Sequence, residues 1–470
     1  MQKNRSKRHA LPFVLLVLTL VIGLALIAAA FYSATDFGKK GSLFESSDEL
    51  LTIFVILASA FAVVLAFLIL SMLVRNHDIK IAVQKLEKDA HAATTQYKNT
   101  FTENTEEGAQ AEPRFFMLGE IDEGMKKYRR PTYETKITLP ELCERFRDFA
   151  ASRLHLYYSI TDIRRFISNM ASTHVLIMQG MSGTGKTSLA YAFGEFIKNH
   201  SVIVPIQPMW KERTDLLGYY NEFTKRFNET VLLQKMYEAN YKEDMFVVVL
   251  DEMNIARVEY YFAEFLSLLE IPRADRRYID VVSDVWETDP KLLKNGQLRL
   301  PTNMWFIGTA NNDDSTFAIS DKVYDRAMVM NLDTKAEIFE GTEQEGIHLS
   351  AAHFDALARE ARRNYRLSYR NRRRLRRLDD YMIEKFKITF GNRIMKQIDS
   401  FVPTFLACGG NELDALDDIL SKKVFRKLET QNPIYVRNNV EALSAFLDEL
   451  FGYDTMKLCK SYLTKFERSA

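Results

Sequence analysis

The chain has 470 residues, 47% of them hydrophobic, and a formal net charge of +1. That length and apolar content suffice for more than one domain. The near-neutral balance excludes a whole-chain case for a polyanionic partner, so any nucleic-acid binding must rest on a local patch. The three cysteines, Cys143, Cys408 and Cys459, are widely spaced and contain no Cys-x-x-Cys pair. They suit a reducing compartment and point to neither a disulfide framework nor a metal site.

Two apolar runs come first, Leu11 to Tyr32 and Leu50 to Val74, and neither holds a charged residue. Each exceeds the roughly 20 residues that cross a bilayer as a helix. Lys3, Arg5, Lys7 and Arg8 precede the first run, and Arg75, Lys80, Lys85 and Lys88 follow the second. The loop between them carries Asp36, Glu45, Asp48 and Glu49 against Lys39 and Lys40. Positive flanks stay inside. The expectation is therefore a two-span anchor over 1–75, with spans 11–32 and 50–74, in a bacterial-type cell membrane. Both the N-terminus and the rest of the chain would be cytoplasmic. A cleaved signal peptide ending near Ala28-Ala29-Ala30 is the competing reading, but the run is long for one.

From Asn76 to Ala93 the residues Ile79, Val83, Leu86 and Ala90 form one helical stripe. Thr94 to Pro113 is polar and reads as a flexible linker, so 76–138 is assigned to a juxtamembrane helix and linker. Between 139 and 335 apolar strands alternate with helical segments. The strand candidates are Val175–Met178, Ser201–Ile206, Phe246–Leu250 and Met304–Gly308. This alternation predicts a parallel sheet covered by helices, an α/β nucleotide-binding domain. Residues 345–470 show amphipathic helical patterns and no strand, so an all-α domain follows.

Gly180-Met181-Ser182-Gly183-Thr184-Gly185-Lys186-Thr187 fits the phosphate-binding pattern G-x-x-x-x-G-K-[ST]. It lies between a short apolar strand and the start of a helix, which is the setting the chemistry needs. Glycines let the backbone wrap an anion, and backbone N–H groups with the helix N-terminus attract it. Gly180, Gly183, Thr184, Gly185, Lys186, Thr187 and Ser188 are the candidate nucleotide ligands. Lys186 would reach the outer phosphates, and the Thr187 hydroxyl would ligate Mg²⁺. Such a loop reads phosphates, so ATP and GTP both remain open.

Phe246 to Leu250 ends in Asp251-Glu252. A buried strand holds a carboxylate rigidly at its C-terminal end, where ligands collect in open α/β sheets. Asp251 would hold Mg²⁺ and Glu252 would act as general base toward water. A second strand ends in Gly308-Thr309-Ala310-Asn311-Asn312. Asn311, or failing it Asn312, would orient the lytic water; the alternative is an asparagine that merely favours a turn.

Asp251-Glu252-Met253-Asn254-Ile255-Ala256-Arg257, Phe265-Leu266-Ser267-Leu268-Leu269-Glu270, Gly308-Thr309-Ala310-Asn311 and, closer to the loop, Asp215-Leu216-Leu217-Gly218 together resemble the AAA+ ATPases. Within them the likeness is to the dynein-related branch that includes MoxR-type and McrB-type proteins. It spans about 139–333. The resemblance implies a core with a helical lid, a homo-oligomeric ring (usually a hexamer), and ATP hydrolysis that remodels a client. It also implies an arginine inserted by a neighbouring subunit. Arg326 occupies the matching position, although it stands alone, beside Asp325, where relatives often carry several arginines. A local ion pair with Asp325 or Asp321 is the alternative role, and Arg257 is a second candidate. Ser368-Tyr369-Arg370 resembles the start of the lid helix that carries a sensor arginine, which points to Arg370.

Nine arginines lie between Arg362 and Arg377. One sensor does not account for them. They would form a solvated helix face paired with acids or with a subunit neighbour, or bind nucleic acid or acidic lipid headgroups. The leading expectation is thus a membrane-anchored AAA+ ATPase that remodels a protein partner. The alternative is a nucleotide-dependent scaffold or nucleic-acid defence module of McrB type.

Overall fold

The computed structural model describes residues 112–311, 316–333 and 335–468. In chain order the strands are β1 (Val175–Gln179), β2 (Val202–Pro205), β3 (Gly218–Asn221), β4 (Arg226–Glu229), β5 (Phe246–Asp251), β6 (Tyr278–Asp280), β7 (Gln297–Arg299), β8 (Met304–Ala310) and β9 (Met328–Asn331). Five of them make one sheet in the order β2-β5-β8-β1-β9, and every pairing in it is parallel. The four strands expected from sequence are all in this sheet. β9 and the two antiparallel hairpins, β3-β4 and β6-β7, were not anticipated.

Successive residues of a strand point to opposite faces, and the sheet here is buried on both. Leu176, Met178, Val247, Val249, Trp305 and Ile307 face one cluster, while Val175, Ile177, Val248, Leu250 and Phe306 face another. Double burial explains why β5 and β8 read as unbroken apolar runs. The edge strand β2 differs, with Val202 buried and Ile203 exposed.

Helices α1 (Met117–Met125), α2 (Leu139–Leu154) and α3 (Ile160–Met170) precede β1. Within the core follow α4 (Lys186–Phe196), α5 (Arg213–Leu217), α6 (Val231–Ala239), α7 (Val258–Tyr261), α8 (Ala263–Glu270) and α9 (Asp321–Tyr324). The C-terminal region is helical, as its pattern predicts. It comprises α10 (Ala351–Asn364), α11 (Tyr369–Phe386), α12 (Gly391–Ala407), α13 (Glu412–Lys423), α14 (Pro433–Phe451) and α15 (Lys457–Arg468). Ser350, Ser368, Asn411 and Asn432 open four of these helices by accepting a backbone N–H of the first turn, the standard satisfaction of orphan donors. Phe354, Phe401 and Phe405 of this region share one apolar cluster with Trp305 and Ile307 of the sheet.

The stretch assigned to juxtamembrane helix and linker, 76–138, is folded from Arg114 onward. Arg114 is 1% exposed and its guanidinium meets Asp289 at 2.8 Å and Asp284 at 3.0 Å. It also lies over the Trp286 ring, 4.6 Å from its centroid. The N–H groups of Phe116, Met117 and Leu118 donate to the Glu229 carboxylate, which thereby caps α1 with a negative charge at its positive end. These partners lie more than 100 residues away, so local composition could not reveal them.

One expectation is corrected. No helix among the described residues is long and apolar enough to cross a membrane. The runs 11–32 and 50–74, like the stripe 76–93, lie outside the described residues. An integral membrane location with two spans is therefore unsupported and is withdrawn.

Candidate functional site

The register of the sheet brings the site together. Gln179 at the end of β1 pairs with Ala310 of β8 on one side and Asn331 of β9 on the other. Residues 180, 251 and 311 therefore leave the sheet at one edge, the carboxyl end, where open α/β sheets gather ligands.

The glycine loop begins at Gly180, with φ +142°. A Cβ there would lie 2.4 Å from the Leu332 carbonyl oxygen. Gly183 and Gly185 also have positive φ, +79° and +91°, and Gly185 opens α4. Lys186 is buried, and its Nζ donates to the carbonyls of Gly180 at 3.0 Å and Met181 at 2.7 Å. The amine is thus curled beneath its own loop. Thr184 Oγ1 donates to the Met181 carbonyl, 3.0 Å away. Ser188 is half-buried in the first turn of α4. Tyr158, which sequence reading missed, donates its hydroxyl to the Gly185 carbonyl at 3.0 Å. Burial pushes the Tyr158 phenol up, keeping it protonated as that donor.

Thr187 meets the end of β5. Its Oγ1 donates to Asp251 Oδ1 at 2.7 Å, and Thr309 Oγ1 donates to the same oxygen at 2.9 Å. The Thr309 hydroxyl in turn accepts from the Glu252 N–H at 2.9 Å. Glu252 has φ +52°, a left-handed conformation that a non-glycine residue adopts only when its surroundings impose it. Its side chain is exposed at the strand end. Thr309 thus links both acids, a role its place between Gly308 and Ala310 did not advertise. Gly308 is required because a Cβ would sit 1.9 Å from Met253 Sδ.

Asn311 is half-buried, and its carbonyl accepts from Asn254 Nδ2 at 2.9 Å. Asn254 is 5% exposed, and its Oδ1 has no hydrogen-bond partner. Asn312 lies outside the described residues. Both Asn254 and Asn311 line a cavity of about 1000 Å³, together with Gln179, Tyr324, Lys422 and Arg426. That cavity separates the carboxyl edge of the sheet from α13 and the turn after it.

Arg326 and Arg257 are engaged within the chain. Arg326 Nε donates to Glu270 at 2.8 Å, and its NH1 donates to the Lys322 carbonyl. The considered partners are taken by others, Asp325 by Lys427 and Asp321 by Arg426. Arg257 stacks over Phe317, 5.0 Å from its centroid. Arg370 is exposed in the first turn of α11. Nearby, the Ser368 N–H donates to Glu412, which begins α13, whereas Lys422 lies at the other end of that helix, about 15 Å on at 1.5 Å per residue. The helical-region cations that line the cavity are Lys422, Arg426 and Lys465. Part of the arginine run has partners within the chain. Arg362 donates to the Ala171 carbonyl and to Ser400, Arg372 pairs with Asp399, and Arg377 pairs with Glu449.

Among the described residues no group of three or more His, Cys, Asp or Glu is arranged to hold a metal ion.

Residues 175–327 match the family model of the AAA domain, dynein-related subfamily. Among solved structures, a candidate ATPase from Cytophaga hutchinsonii is similar at 13% identity over 60% of this chain and 87% of that one, with a TM-score of 0.41. A full-length MCM homologue from Methanopyrus kandleri is similar at 12% identity over 60% of this chain and 59% of that one, with a TM-score of 0.33. No curated protein matches. The matched segment runs from the first residue of β1 to the residue before β9, so it takes in the glycine loop and both acids after β5, and this AAA domain supports an ATP hydrolase.

Proposed function

We propose that the chain binds ATP with Mg²⁺ at Gly180–Thr187, hydrolyses it beside Glu252, and works as a ring of like subunits that remodels a macromolecular partner. The observation that carries this reading is the relay from Thr187 through Asp251 and Thr309 to Glu252. It fixes a hydroxyl, one carboxylate and the backbone of a second carboxylate around the end of one strand.

In this reading the backbone of Gly180, Gly183, Thr184 and Gly185 cradles the phosphates, and Ser188 adds a hydroxyl from the first turn of α4. Lys186 exchanges its two carbonyl acceptors for phosphate oxygens when nucleotide enters. Mg²⁺ fits the donor set. Thr187 and Asp251 offer hard oxygens 2.7 Å apart, and magnesium takes one or two carboxylates plus phosphates and waters rather than an all-protein cage. Bound there, it neutralises charge on the phosphates. Glu252, exposed and held by its backbone, takes the proton of the attacking water, and Asn311 orients that water. Arg326 serves a neighbouring subunit's nucleotide once it leaves Glu270. The hydrogen bonds of Arg362 and the ion pairs of Arg372 and Arg377 engage these three arginines within the chain, and no specific observation favours the nucleic-acid reading.

The test is ATP turnover by the full chain. Glu252→Gln should bind ATP as well as the parent and hydrolyse it about 10²–10⁴-fold more slowly, the usual share of a general base. Undiminished turnover in that variant refutes the assignment. Competition by GTP in the same assay settles which purine is preferred.

A further inference from the structure

The helical region holds Arg326 through the backbone on either side of it. Lys423, the last residue of α13, is 2% exposed. Its Nζ donates to the Tyr324 carbonyl at 2.6 Å and also to the Ala327 carbonyl. Between these, the Asp325 carbonyl accepts from Gln397 Nε2 of α12 at 3.1 Å. Three carbonyls in the four residues 324–327 are thus taken by two helices more than 70 residues away in sequence. Side chains repeat the pattern. Lys427 pairs with Asp325 at 3.3 Å, and Arg393 of α12 shares Glu270 with Arg326, at 2.6 Å and 2.8 Å. The Arg426 guanidinium stacks over Tyr324, 3.9 Å from the ring centroid. Val323 and Ala327, on either side, are fully buried and anchor the segment in the core.

We propose that Lys423, assisted by Gln397, is a positioning residue for Arg326: it ties the carbonyls flanking that arginine to the helical region, so the arginine advances or retreats as that region moves against the sheet. This rests on the reading of Arg326 as the arginine supplied to a neighbouring subunit. The same helical region lines the cavity beside Asn311. A change at one subunit's nucleotide therefore reaches the arginine that the same subunit offers to its neighbour. A buried lysine amine is the natural agent. It donates to two carbonyls at once, and withdrawing it from them leaves buried acceptors unsatisfied.

The experiment mixes full-length variants. Lys186→Ala lacks its own site but keeps Arg326. Lys423→Met keeps its own site but lacks the tie. Alone, Lys423→Met should bind a fluorescent ATP analogue within about twofold of the parent and lose at least about tenfold in turnover, less than the 10³–10⁵ that arginine fingers supply. An equimolar mixture with Lys186→Ala should regain activity several-fold above either variant alone. Arg326→Ala should be rescued in the same way. Rescue of Arg326→Ala without rescue of a nucleotide-binding Lys423→Met overturns the positioning role and leaves the arginine's role standing. Failure to rescue Arg326→Ala removes the arginine's role, and the inference with it. Should Lys423→Met fail to bind nucleotide, Gln397→Leu decides by the same criterion, since it removes a donor to the same segment without emptying the buried site.

Discussion

Gly180 and Gly183 both have positive φ, yet they answer to different constraints. At Gly183 an added Cβ meets nothing within 4 Å, so only the backbone conformation resists substitution. At Gly180 the Cβ would lie 2.4 Å from the Leu332 carbonyl oxygen, which belongs to the backbone leaving β9 and cannot swing aside. Gly183→Ala should therefore cost about 1–2 kcal/mol, the usual penalty of a left-handed L-residue, and keep ATP binding at reduced affinity. Gly180→Ala should cost more, because β9 must move as well, and should abolish nucleotide binding. Denaturant melts and nucleotide titration check the pair; equal stability of the two variants would show that the Leu332 contact does not matter. At this scale the sequence was highly informative. The loop is contiguous, so its chemistry is visible in eight letters. Asp251 and Glu252 stand out because a run of buried valines leads into them. Thr309 and Tyr158 did not stand out, since a hydroxyl inside an apolar strand and a tyrosine in a loop carry no pattern of their own.

Elements were legible in proportion to how locally they are specified. β5 and β8 are long and buried on both faces, so an apolar run suffices to find them. β9 has four residues and owes its place to pairing with β1, about 150 positions earlier. The hairpins depend on equally remote support. The β3-β4 hairpin packs Phe227 on Phe115, with ring centroids 4.8 Å apart. Arg114 shows the same dependence in its strongest form. Its guanidinium answers the buried Asp289 carboxylate, which is 6% exposed, and so pins the entry of α1 to the loop before β7. Arg114→Met should destabilise the fold by about 3–5 kcal/mol, because it strands a buried carboxylate. Adding Asp289→Asn to Arg114→Met should recover part of that loss. A double-mutant cycle by chemical denaturation gives both numbers, and additive effects would mean that the pair is not coupled.

At the scale of the molecule, the helical region and the sheet share one apolar cluster, and their polar contacts converge on the segment from Asp321 to Ala327. Sequence alone correctly separated a sheet-bearing region from a helical one, because the hydrophobic period changes between them. It could not show which helical-region cations reach the site. Lys423 and Arg426 find their partners about 100 residues away, while the more conspicuous arginines of α11 turn largely to solvent and to neighbouring helices. Lys423 also gives the joint a pH signature. Burial pushes its amine down to about 7, opposed by Asp325 and reinforced by Arg426, Lys427 and Arg393. An unfolded lysine keeps its proton to about 10.4. Between those values the unfolded chain binds one more proton than the folded chain, so this residue makes stability rise with pH from about 7 to about 10, by roughly a few kcal/mol in total. Other groups titrate in the same window, and burial raises the Cys143 and Cys459 thiols, which works in the opposite direction. The difference between the parent and Lys423→Met isolates the lysine. Melting temperatures recorded from pH 6.5 to 9.5 should climb more steeply, or fall less steeply, for the parent than for the variant. Parallel curves would mean that Lys423 stays charged throughout, held by the two carbonyls strongly enough to offset its burial.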